Sequence, residues 1–340
     1  MSELVTFGEL MLRLSPQGYY ALLQNENLLA TYGGGEANVA VSASNYGVDA
    51  AFVTKLPENP IGDGAIRVLR SFGVDTKHIL RGGRRMGVYF VERGASQRPS
   101  RVIYDRENSA IAESRPEEYN WDDILDGCRW FHFTGITPAL GKNLASAVLD
   151  ACRTARKKGI VVSCDLNYRS KLWSPEEAGK VMAELMQYVD VCIANEEDAA
   201  KVFGIHPGNS NIDHGILSRE GYIDVAKKLK QRFGFKQVAI TLRQSHSSSD
   251  NGWSAMLYDG EKAFFSDSYS IHIVDRVGGG DSFGGALIYA LMRSYSPQGA
   301  INFAAAASCL KHSYEGDFNM ASVSDVLNLL KSGGNGRIQR

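Results

Sequence analysis

The feature that most constrains the fold is a regular alternation of apolar and amphipathic segments that begins near residue 129. Residues 130–134, 160–165 and 189–194 are apolar runs of strand length, and residues 142–158 and 175–188 have helical periodicity. Strands that alternate with helices indicate a parallel sheet with helices on both faces. Ligands of such sheets bind beyond the carboxyl ends of the strands. The pattern predicts an α/β fold with its functional site at that edge.

The flanking segments extend this alternation. Residues 4–7 and 51–55 have the pattern of strands on either side of a helix at 36–46. The remaining predicted elements are helices at 195–203, 222–233, 279–293, 297–313 and 323–331, a strand at 237–242, and a hairpin of 253–258 with 262–266. Residues 333–340 are predicted to be a flexible tail.

One region breaks the alternation. Residues 87–93 and 101–105 are both strand-like, and a polar loop rather than a helix joins them. They predict a small β appendage. It could cover a site on the main sheet as a lid, or it could be an extra hairpin at the sheet edge, and the pattern alone does not choose between them.

Charge and cysteine content narrow the class of protein. The 340 residues carry 37 basic and 38 acidic side chains, a net charge of -1, which gives no reason to expect a nucleic-acid or membrane-surface partner. No apolar run approaches the roughly 18 residues that a membrane crossing needs, and the first residues lack the basic start of a signal peptide. Five cysteines without C-x-x-C spacing suit buried free thiols, so we expect a cytoplasmic protein.

Glycine is overrepresented, with 35 glycines against 9 prolines, and two clusters of glycine each precede a helical pattern. The first is GGGEAN at residues 33–38. Its glycines allow a ligand to approach the backbone, the helix N-terminus suits a hydroxyl-rich or anionic ligand, and Asn38 can donate and accept hydrogen bonds. A flexible turn followed by an asparagine on the helix surface explains the pattern equally well.

The second cluster is DRVGGGD at residues 275–281, where glycines again open a helix and a carboxylate follows. Gly278, Gly279 and Gly280 can present successive N–H groups to phosphate oxygens as an anion hole, while Asp281 takes a proton from an attacking hydroxyl. A simple helix-capping aspartate is the alternative. Three consecutive glycines allow phosphate oxygens to approach the backbone closely, and a helix cap does not need them. The pattern therefore favours phosphate binding over capping. We expect this cluster, extended to residue 285, at the phosphate end of the site and the first cluster at its opposite end.

Other motifs of phosphate-binding or hydrolytic enzymes are absent from the sequence. The sequence contains no Walker A motif, no strict G-x-G-x-x-G, no H-R-D or D-F-G pair of a protein kinase, and no H-E-x-x-H.

Taken together, the two clusters, their order and their separation resemble the ribokinase-like (PfkB) family of sugar kinases, and within it the 2-keto-3-deoxygluconate kinases. The resemblance runs from about residue 3 to residue 330. Its most specific pieces are residues 33–38, DLNYR at 165–169, NEED at 195–198, residues 275–281, and KHSYEGDFN at 311–319. It implies a three-layer α/β/α sandwich with a mostly parallel central sheet. It further implies a single kinase domain at residues 1–332 with a β lid from about 11–31 and 86–107.

The resemblance also implies an activity, the ATP-dependent phosphorylation of the terminal hydroxymethyl group of 2-keto-3-deoxygluconate. Asp281 would be the general base, and the amides of Gly278, Gly279 and Gly280 would stabilise the transferred phosphoryl group. The residues implied in sugar binding are Gly34, Asn38, Tyr89, Tyr104, Arg106, Asn167 and Arg169. The guanidinium groups of Arg106 and Arg169 suit a carboxylate, which separates a sugar acid from a neutral sugar.

For the nucleotide, the resemblance implies ATP with Mg²⁺, and a potassium site beside the anion hole occurs in relatives. The residues implied in nucleotide binding are Asn195, Thr241, Arg243, Asp275, Gly278 and Gly280. Asp198 would act on magnesium through water, although it stands where the family has glutamate and its shorter side chain leaves its reach open. Arg243 replaces the glycine of the common T-L-G and is expected to contact phosphate.

Two alternatives to a sugar-acid kinase are open. The first is a kinase for a neutral sugar such as ribose or fructose, and the second is a catalytically silent sugar-binding regulator. The presence of Asp281 beside its run of glycines argues against the silent regulator.

We expect no nucleic-acid or membrane partner and a homo-oligomer formed through the β lid. Residue types do not separate the gluco and galacto epimers of the ketodeoxy acid.

Overall fold

The computed structural model describes residues 2–195, 197–208 and 218–333. The strands are β1 (Leu4–Phe7), β2 (Met11–Pro16), β3 (Leu28–Gly33), β4 (Ala50–Val53), β5 (Lys55–Leu56), β6 (Leu80–Arg81), β7 (Val88–Glu92), β8 (Arg101–Asp105), β9 (Trp130–Thr134), β10 (Val161–Asp165), β11 (Val191–Asn195), β12 (Gln237–Ser245), β13 (Asp250–Tyr258), β14 (Ala263–Phe265) and β15 (Tyr269–His272). The helices are α1 (Gly35–Asn45), α2 (Pro60–Ser71), α3 (Trp121–Ile124), α4 (Ile136–Ala139), α5 (Lys142–Lys157), α6 (Pro175–Leu185), α7 (Asp198–Phe203), α8 (Arg219–Phe233), α9 (Gly279–Met292), α10 (Pro297–Lys311) and α11 (Val323–Ser332).

A large, mostly parallel sheet forms the centre of the protein. Within the described ranges its strand order is β14-β13-β12-β11-β10-β9-β1-β4, with β15 paired to β13. The strands from β12 to β4 run parallel, and the pairs that involve β13 are antiparallel. The carboxyl ends of β9, β10 and β11 therefore meet at one edge, as the alternation predicts.

Helices cover both faces of this sheet and create two separate hydrophobic cores. One core joins sheet residues such as Phe131 and Cys164 to α5, α6 and α8. The other joins residues of the opposite face, such as Phe52 and Ile193, to α1, α2, α9 and α10. Strands of the centre are buried on both faces, which is why they read as continuous apolar runs in the sequence. The predicted three-layer α/β/α sandwich is confirmed.

The helix starts fall into two kinds. The helix α6 begins with a capping box in which the Ser174 hydroxyl accepts the N–H of Glu177 and the Glu177 carboxylate accepts the N–H of Ser174. By contrast, α1 and α9 begin at Gly34 and Gly278 without a side-chain cap. The capping alternative for Asp281 is therefore wrong. No side chain caps the first turn of either helix, although the N–H of Gly279 donates to the carbonyl oxygen of Arg276 at 3.3 Å.

A second, smaller sheet has the strand order β3-β2-β7-β8, and we call it the lid sheet. The strands β2 and β7 pair in parallel, and β3 and β8 pair antiparallel to them at the two edges. The sequence predicts β7 and β8 within one residue of their observed bounds. It does not resolve β2 and β3 as separate strands, because β3 is largely exposed and lacks a clear apolar alternation.

Several other boundaries differ from the prediction for local reasons. The predicted helix at 195–203 begins only at Asp198, because Asn195 ends β11 and its side-chain oxygen accepts the N–H groups of Glu197 and Asp198. The helix α8 begins at Arg219 rather than 222, since the Ser218 hydroxyl caps it. The sequence pattern predicts neither α2 nor β15.

None of the helices formed by the described residues has the length and apolar character that a membrane crossing requires. Of the predicted tail, Gly333 ends α11 in a left-handed conformation, and residues 334–340 lie outside the described residues.

Candidate active site

A cleft of about 440 Å³ lies between the lid sheet and the carboxyl ends of the central strands. It brings together most of the residues singled out in the sequence. The predicted site residues on its wall are Gly34, Asn38, Tyr89, Tyr104, Arg106, Asn167, Arg169, Asn195, Thr241, Arg243, Gly278, Gly279, Gly280 and Asp281. The two remaining predicted site residues, Asp198 and Asp275, do not line it.

Asn38 links the two glycine clusters, which the sequence had assigned to opposite ends of the site. Its side-chain oxygen accepts the N–H of Gly34 at 3.3 Å, and its side-chain nitrogen donates to the Asp281 carboxylate at 2.7 Å. A Cβ added to Gly35 would lie 3.6 Å from Asp281 Oδ1. The N-termini of α1 and α9 therefore meet at Asp281, and the two clusters form one site.

Asp281 has the electrostatic environment of a general base. Burial raises its pKa to about 6, and the hydrogen bond from Asn38 acts in the opposite direction. The carboxyl group is therefore mostly ionised near pH 7 yet binds a proton readily, which is the combination that general-base catalysis requires.

The three glycines beside Asp281 have different constraints. Gly278 has a φ of 82°, and an added Cβ would lie 2.0 Å from the carbonyl oxygen of Asp317. At Gly279 an added Cβ would lie 2.6 Å from the His312 ring. At Gly280 it would meet nothing within 4 Å, and this residue is exposed on the cleft wall. Packing therefore requires glycine at 278 and 279, whereas the absence of a side chain at Gly280 leaves space in the cleft.

Two further carboxyl groups, Glu36 and Asp165, line the cleft with Asp281. The Glu36 carboxylate accepts hydrogen bonds from the Thr134 N–H, the Thr134 hydroxyl and the Thr137 hydroxyl, and burial raises its pKa to about 7. Burial and the neighbouring carboxylates of Asp198 and Asp281 raise the pKa of Asp165 well above its usual value. Both carboxyl groups therefore have a higher proton affinity than a free carboxyl group.

Arg106 is already paired within the protein. Its Nε donates to Glu9 Oε2 at 2.8 Å and one of its Nη atoms bonds the same oxygen, while the Ser109 hydroxyl donates to Glu9 Oε1. Both Arg106 and Glu9 are buried. Arg106 reaches the cleft, but its charge is offset by Glu9.

Arg169 is exposed on the cleft wall, and its guanidinium donates to the carbonyl oxygen of Tyr168. The neighbouring Asn167 has a φ of 40°, and its N–H donates to the Asp165 carboxylate. Of the two predicted carboxylate-binding arginines, Arg169 is the one that carries no described salt bridge. It is therefore the better candidate to bind an anionic group.

Tyr89 and Tyr104 come from adjacent strands of the lid sheet and stack with ring centroids 6.0 Å apart. The hydroxyl of the buried Tyr89 donates to Asp317 Oδ2 at 2.6 Å, whereas Tyr104 is exposed. Arg13 of β2 also pairs with Asp317, at 2.6 Å. The lid sheet is thus anchored to the loop beside Gly278.

At the other end of the cleft the wall is basic and aromatic. It includes Arg243, Arg276, Trp253 and His312. Arg276 Nε is buried and has no hydrogen-bond partner among the described residues, and the proximity of Arg243 adds to burial in lowering the Arg276 pKa. Neither guanidinium forms a described salt bridge, although Asp275 acts on Arg276 and Glu197 acts on Arg243 at longer range. Two guanidinium groups held near each other in this way favour a bound anion.

His312 is uncharged at neutral pH, because burial lowers its pKa to about 4. Its Nδ1 faces the Ser308 carbonyl oxygen at 2.7 Å, so Nδ1 carries the proton and Nε2 is the acceptor. Its ring lies against Trp253 and limits the space at Gly279.

Asp198 and Asp275 lie behind the cleft wall. The Asp198 carboxylate accepts the N–H groups of Tyr168 and Asn195, and Glu197 lines the cleft in its place, with Lys201 as partner. The assignment of Asp198 to magnesium stays a prediction.

The Asp275 carboxylate is bonded by Arg13 at 2.5 Å and by the N–H groups of Val277 and Gly316. These bonds occupy its oxygens and connect it to β2 and to the backbone of Val277 and Gly316, and the expected contact of Asp275 with nucleotide stays a prediction.

Sequence reasoning missed several residues of the cleft. They are Glu9, Glu36, Asp165, Arg276, His312 and Asp317. All except Glu9 lie within the motifs that carry the family resemblance, at 33–38, 165–169, 275–281 and 311–319. Their position in those motifs could have identified them as candidates. Glu9 carries no such signal, because its partner Arg106 is 97 residues away in the chain.

The comparisons with known proteins agree with this geometry. Residues 1–322 match the model of the pfkB family carbohydrate kinases. A crystal structure of a 2-dehydro-3-deoxygluconokinase from Thermotoga maritima is 52% identical and superposes with a TM-score of 0.94, covering 98% of this chain and 100% of that one. A 2-dehydro-3-deoxygalactonokinase from Haloferax volcanii is 34% identical over 98% of both chains.

A more distant structure from E. coli, solved in complex with ATP and Mg²⁺, is 19% identical with a TM-score of 0.80 and covers 97% of this chain and 99% of that one. It shows a shared fold. The family model spans nearly the whole chain and the two closer relatives exceed 30% identity over almost all of it. The chain therefore belongs to the pfkB family of carbohydrate kinases, which transfer a phosphoryl group to an alcohol acceptor.

Proposed function

We propose that this protein is an ATP-dependent kinase for a 2-keto-3-deoxy sugar acid and that it phosphorylates the terminal hydroxymethyl group of 2-keto-3-deoxygluconate. One observation carries the proposal: the Asp281 carboxylate lies where two uncapped helix N-termini meet, beside the bare backbone of Gly280. The names of the two closer relatives support the substrate class.

In the proposed reaction Asp281 accepts the proton of the substrate hydroxyl. The hydroxyl oxygen forms a bond to the γ-phosphorus of ATP while the bond from that phosphorus to the bridging oxygen breaks, so that ADP leaves with the electron pair. Phosphoryl transfer depends mainly on alignment and charge stabilisation. A positioned base typically contributes about 10²- to 10⁴-fold to the rate.

The N-terminus of α9 supplies the charge stabilisation. Its amides, from Gly278 to Gly280, have no side-chain cap, and the helix dipole favours negative charge there. Arg243 and Arg276 line the same end of the cleft. One Nη of Arg276 donates to the Ser248 carbonyl oxygen, and its Nε has no described partner, so this guanidinium on the cleft wall is a candidate ligand for the phosphate chain of ATP.

Magnesium fits this site as a partner of the nucleotide. No group of three or more His, Cys, Asp or Glu side chains in the described segments is arranged to hold a metal ion. Mg²⁺ usually keeps several waters and binds through substrate phosphates, so this donor set suits a nucleotide-borne ion. When bound, the ion neutralises phosphate charge. Glu197 on the wall and Asp198 behind it would contact it through water.

The acidic group of the substrate is assigned to Arg169. This exposed guanidinium carries no described salt bridge, whereas Arg106 is offset by Glu9. Arg106 then shapes the sugar end together with Tyr104, whose ring lies 5.2 Å from its guanidinium carbon. The gluco and galacto epimers present the same carboxylate, and the two closer relatives are named for different epimers.

A homo-oligomer through the lid sheet is part of the proposal. The exposed apolar side chains of Leu29 on β3 and Ile103 on β8, with Leu23 between β2 and β3, lie on this sheet and its connecting segment. Both edge strands can pair with further backbone. Sedimentation of the wild type and of Ile103→Glu tests it, with dissociation expected in the variant and an unchanged state contradicting it.

The experiment that tests the activity is an assay of ADP release over a panel of substrates. The panel contains both epimers of the 2-keto-3-deoxy acid, ribose and fructose. Turnover of a ketodeoxy acid well above ribose and fructose supports the proposal. Preference for a neutral sugar would replace it with the neutral-sugar alternative, and no turnover on any substrate would favour a silent sugar-binding protein.

A further inference from the structure

Lys311 is a fully buried lysine whose ammonium group is surrounded by backbone carbonyl oxygens. Its Nζ lies 2.6 Å from the oxygen of Gly316, 3.3 Å from that of Asp275 and 3.4 Å from that of Tyr314. The side chain has no solvent exposure. A protonated lysine has three N–H donors, so each donor has one carbonyl acceptor.

These carbonyls belong to the two loops that hold the anion hole. Asp275 begins the segment that leads to Gly278, and the N–H of Gly316 donates to its carboxylate at 3.2 Å. The loop of Gly316 continues to Asp317, whose carbonyl oxygen packs so closely on Gly278 that no Cβ fits between them. Lys311 therefore ties together both sides of the backbone that presents Gly278 to the cleft.

The carboxylates of Asp275 and Asp317 beside this group have cationic partners within the protein. Arg13 pairs with Asp275 at 2.5 Å and with Asp317 at 2.6 Å. Arg13 and Lys311 thus offset the two carboxylates. Burial and the charge of Arg13 lower the pKa of Lys311, and the carboxylates of Asp275, Asp317 and Asp281 act in the opposite direction.

A ring of backbone carbonyls is also the environment in which a monovalent cation such as potassium binds. Here Nζ already occupies the ring, and a further cation would lie beside the charge of this ammonium group in a buried place. The residues present therefore do not fit the potassium ion that the family resemblance implies.

We propose that Lys311 is a covalently attached cation that takes the place of a bound monovalent metal ion beside the anion hole, so that phosphoryl transfer by this protein does not depend on potassium. The inference rests on the proposed kinase activity. Lys311 is a positioning residue in this account, since it acts through the backbone of Gly278 and contacts no substrate.

The first test compares wild-type turnover in potassium, sodium and choline chloride at equal ionic strength. We expect the same kcat in all three salts. A wild-type enzyme that is active only with potassium would overturn the inference.

The second test uses Lys311→Ala, which empties the carbonyl ring, with Lys157→Ala on the exposed surface of α5 as the matched control. In choline we expect Lys311→Ala to lose about 10²-fold in kcat. Potassium or ammonium should restore part of that loss and raise the melting temperature of this variant, whereas neither the wild type nor Lys157→Ala should respond. Loss without rescue or stabilisation by either cation would contradict the inference.

The melting measurement separates this inference from the proposed function, because it needs no turnover. If Lys311→Ala does not fold, the comparison of wild-type turnover in the three salts still tests whether the protein depends on potassium. If the wild type turns over no sugar acid, the proposed function fails, while stabilisation of Lys311→Ala by potassium would still identify a cation site filled by Nζ.

Discussion

The side-chain nitrogen of Asn38 donates a hydrogen bond to Asp281 Oδ2 at a distance of 2.7 Å, across a gap of 243 residues in the sequence. Through this bond the first turns of α1 and α9 share one carboxylate. The bond favours the ionised form of Asp281 and opposes the effect of burial. The pair therefore sets both the position and the proton affinity of the proposed base.

Asn38→Ala should move the pH dependence of catalysis. Without the donor the pKa of Asp281 rises above its value of about 6, so the acid limb of kcat/KM should move to higher pH. The pH profile of kcat/KM measures this. Asn45→Ala is the matched control, because Asn45 lies on the same helix and bonds the carbonyl oxygen of Asn319, at the far end from the cleft. An acid limb that stays in place in Asn38→Ala would contradict the role of this bond.

Gly280→Ala should fold normally and lose activity. An added methyl group meets no protein atom within 4 Å and favours the helix by about 1 kcal/mol, yet it occupies space in the cleft where phosphate is proposed to bind. We expect an unchanged or slightly higher melting temperature and a kcat lower by about 10²-fold.

Gly278→Ala provides the contrast, since the positive φ and the contact with Asp317 should destabilise the whole protein. Full activity in Gly280→Ala would show that phosphate does not approach this backbone.

Arg169→Ala should impair the use of a sugar acid while leaving stability unchanged, because its exposed guanidinium has no described salt bridge. The KM for the ketodeoxy acid should rise by about 10- to 10²-fold, which corresponds to about 1.5–3 kcal/mol for a charged hydrogen bond. At a pH well above the acid limb, where loss of the Arg169 charge does not change the ionisation of Asp281, turnover of a neutral sugar should be unaffected. An unchanged KM for the acid would remove Arg169 from carboxylate recognition.

Arg106→Ala, unlike Arg169→Ala, should reduce the stability of the protein. It leaves the buried Glu9 carboxylate without its cation, and the loss of one partner of a buried pair typically costs about 3–5 kcal/mol. Chemical denaturation should show this loss. A stable Arg106→Ala variant with a selective defect for sugar acids would instead restore Arg106 to direct carboxylate binding.

Arg276→Gln should weaken the binding of ATP. The buried Nε and the nearby Arg243 make this guanidinium a phosphate ligand in our account, so the KM for ATP should rise by about tenfold while the KM for the sugar acid changes little. Arg293→Gln is a suitable control, since this arginine pairs with Glu3 outside the cleft. Equal effects on both substrates would indicate a structural role for Arg276.

The layered fold was predictable because its signals are local. A central parallel strand is buried on both faces and so reads as an apolar run, and the serines at 174 and 296 cap helices where the sequence suggests a start. The lid sheet was only partly predictable, since β3 is exposed and its pairing with β2 is a tertiary contact.

Many residues that line the cleft were predictable from the sequence, but the contacts between them were not. The sequence located Asp281 and both glycine clusters, yet it placed the clusters at opposite ends, because no local signal reports that Asn38 contacts Asp281. It also counted Gly285 with the phosphate end. In the structure an added Cβ at Gly285 would lie 2.7 Å from Ser42 Cβ, so this glycine serves the close packing of α9 on α1.

The most direct test of the central claim is the rate of ADP release with 2-keto-3-deoxygluconate, compared between the wild type and Asp281→Asn. Asparagine keeps the size of the side chain and removes the base. We predict that the wild type turns over the acid, and that Asp281→Asn binds it with similar affinity but turns over about 10²- to 10⁴-fold more slowly. An Asp281→Asn variant with an unchanged kcat would contradict the assignment of Asp281 as the general base and with it the proposed reaction.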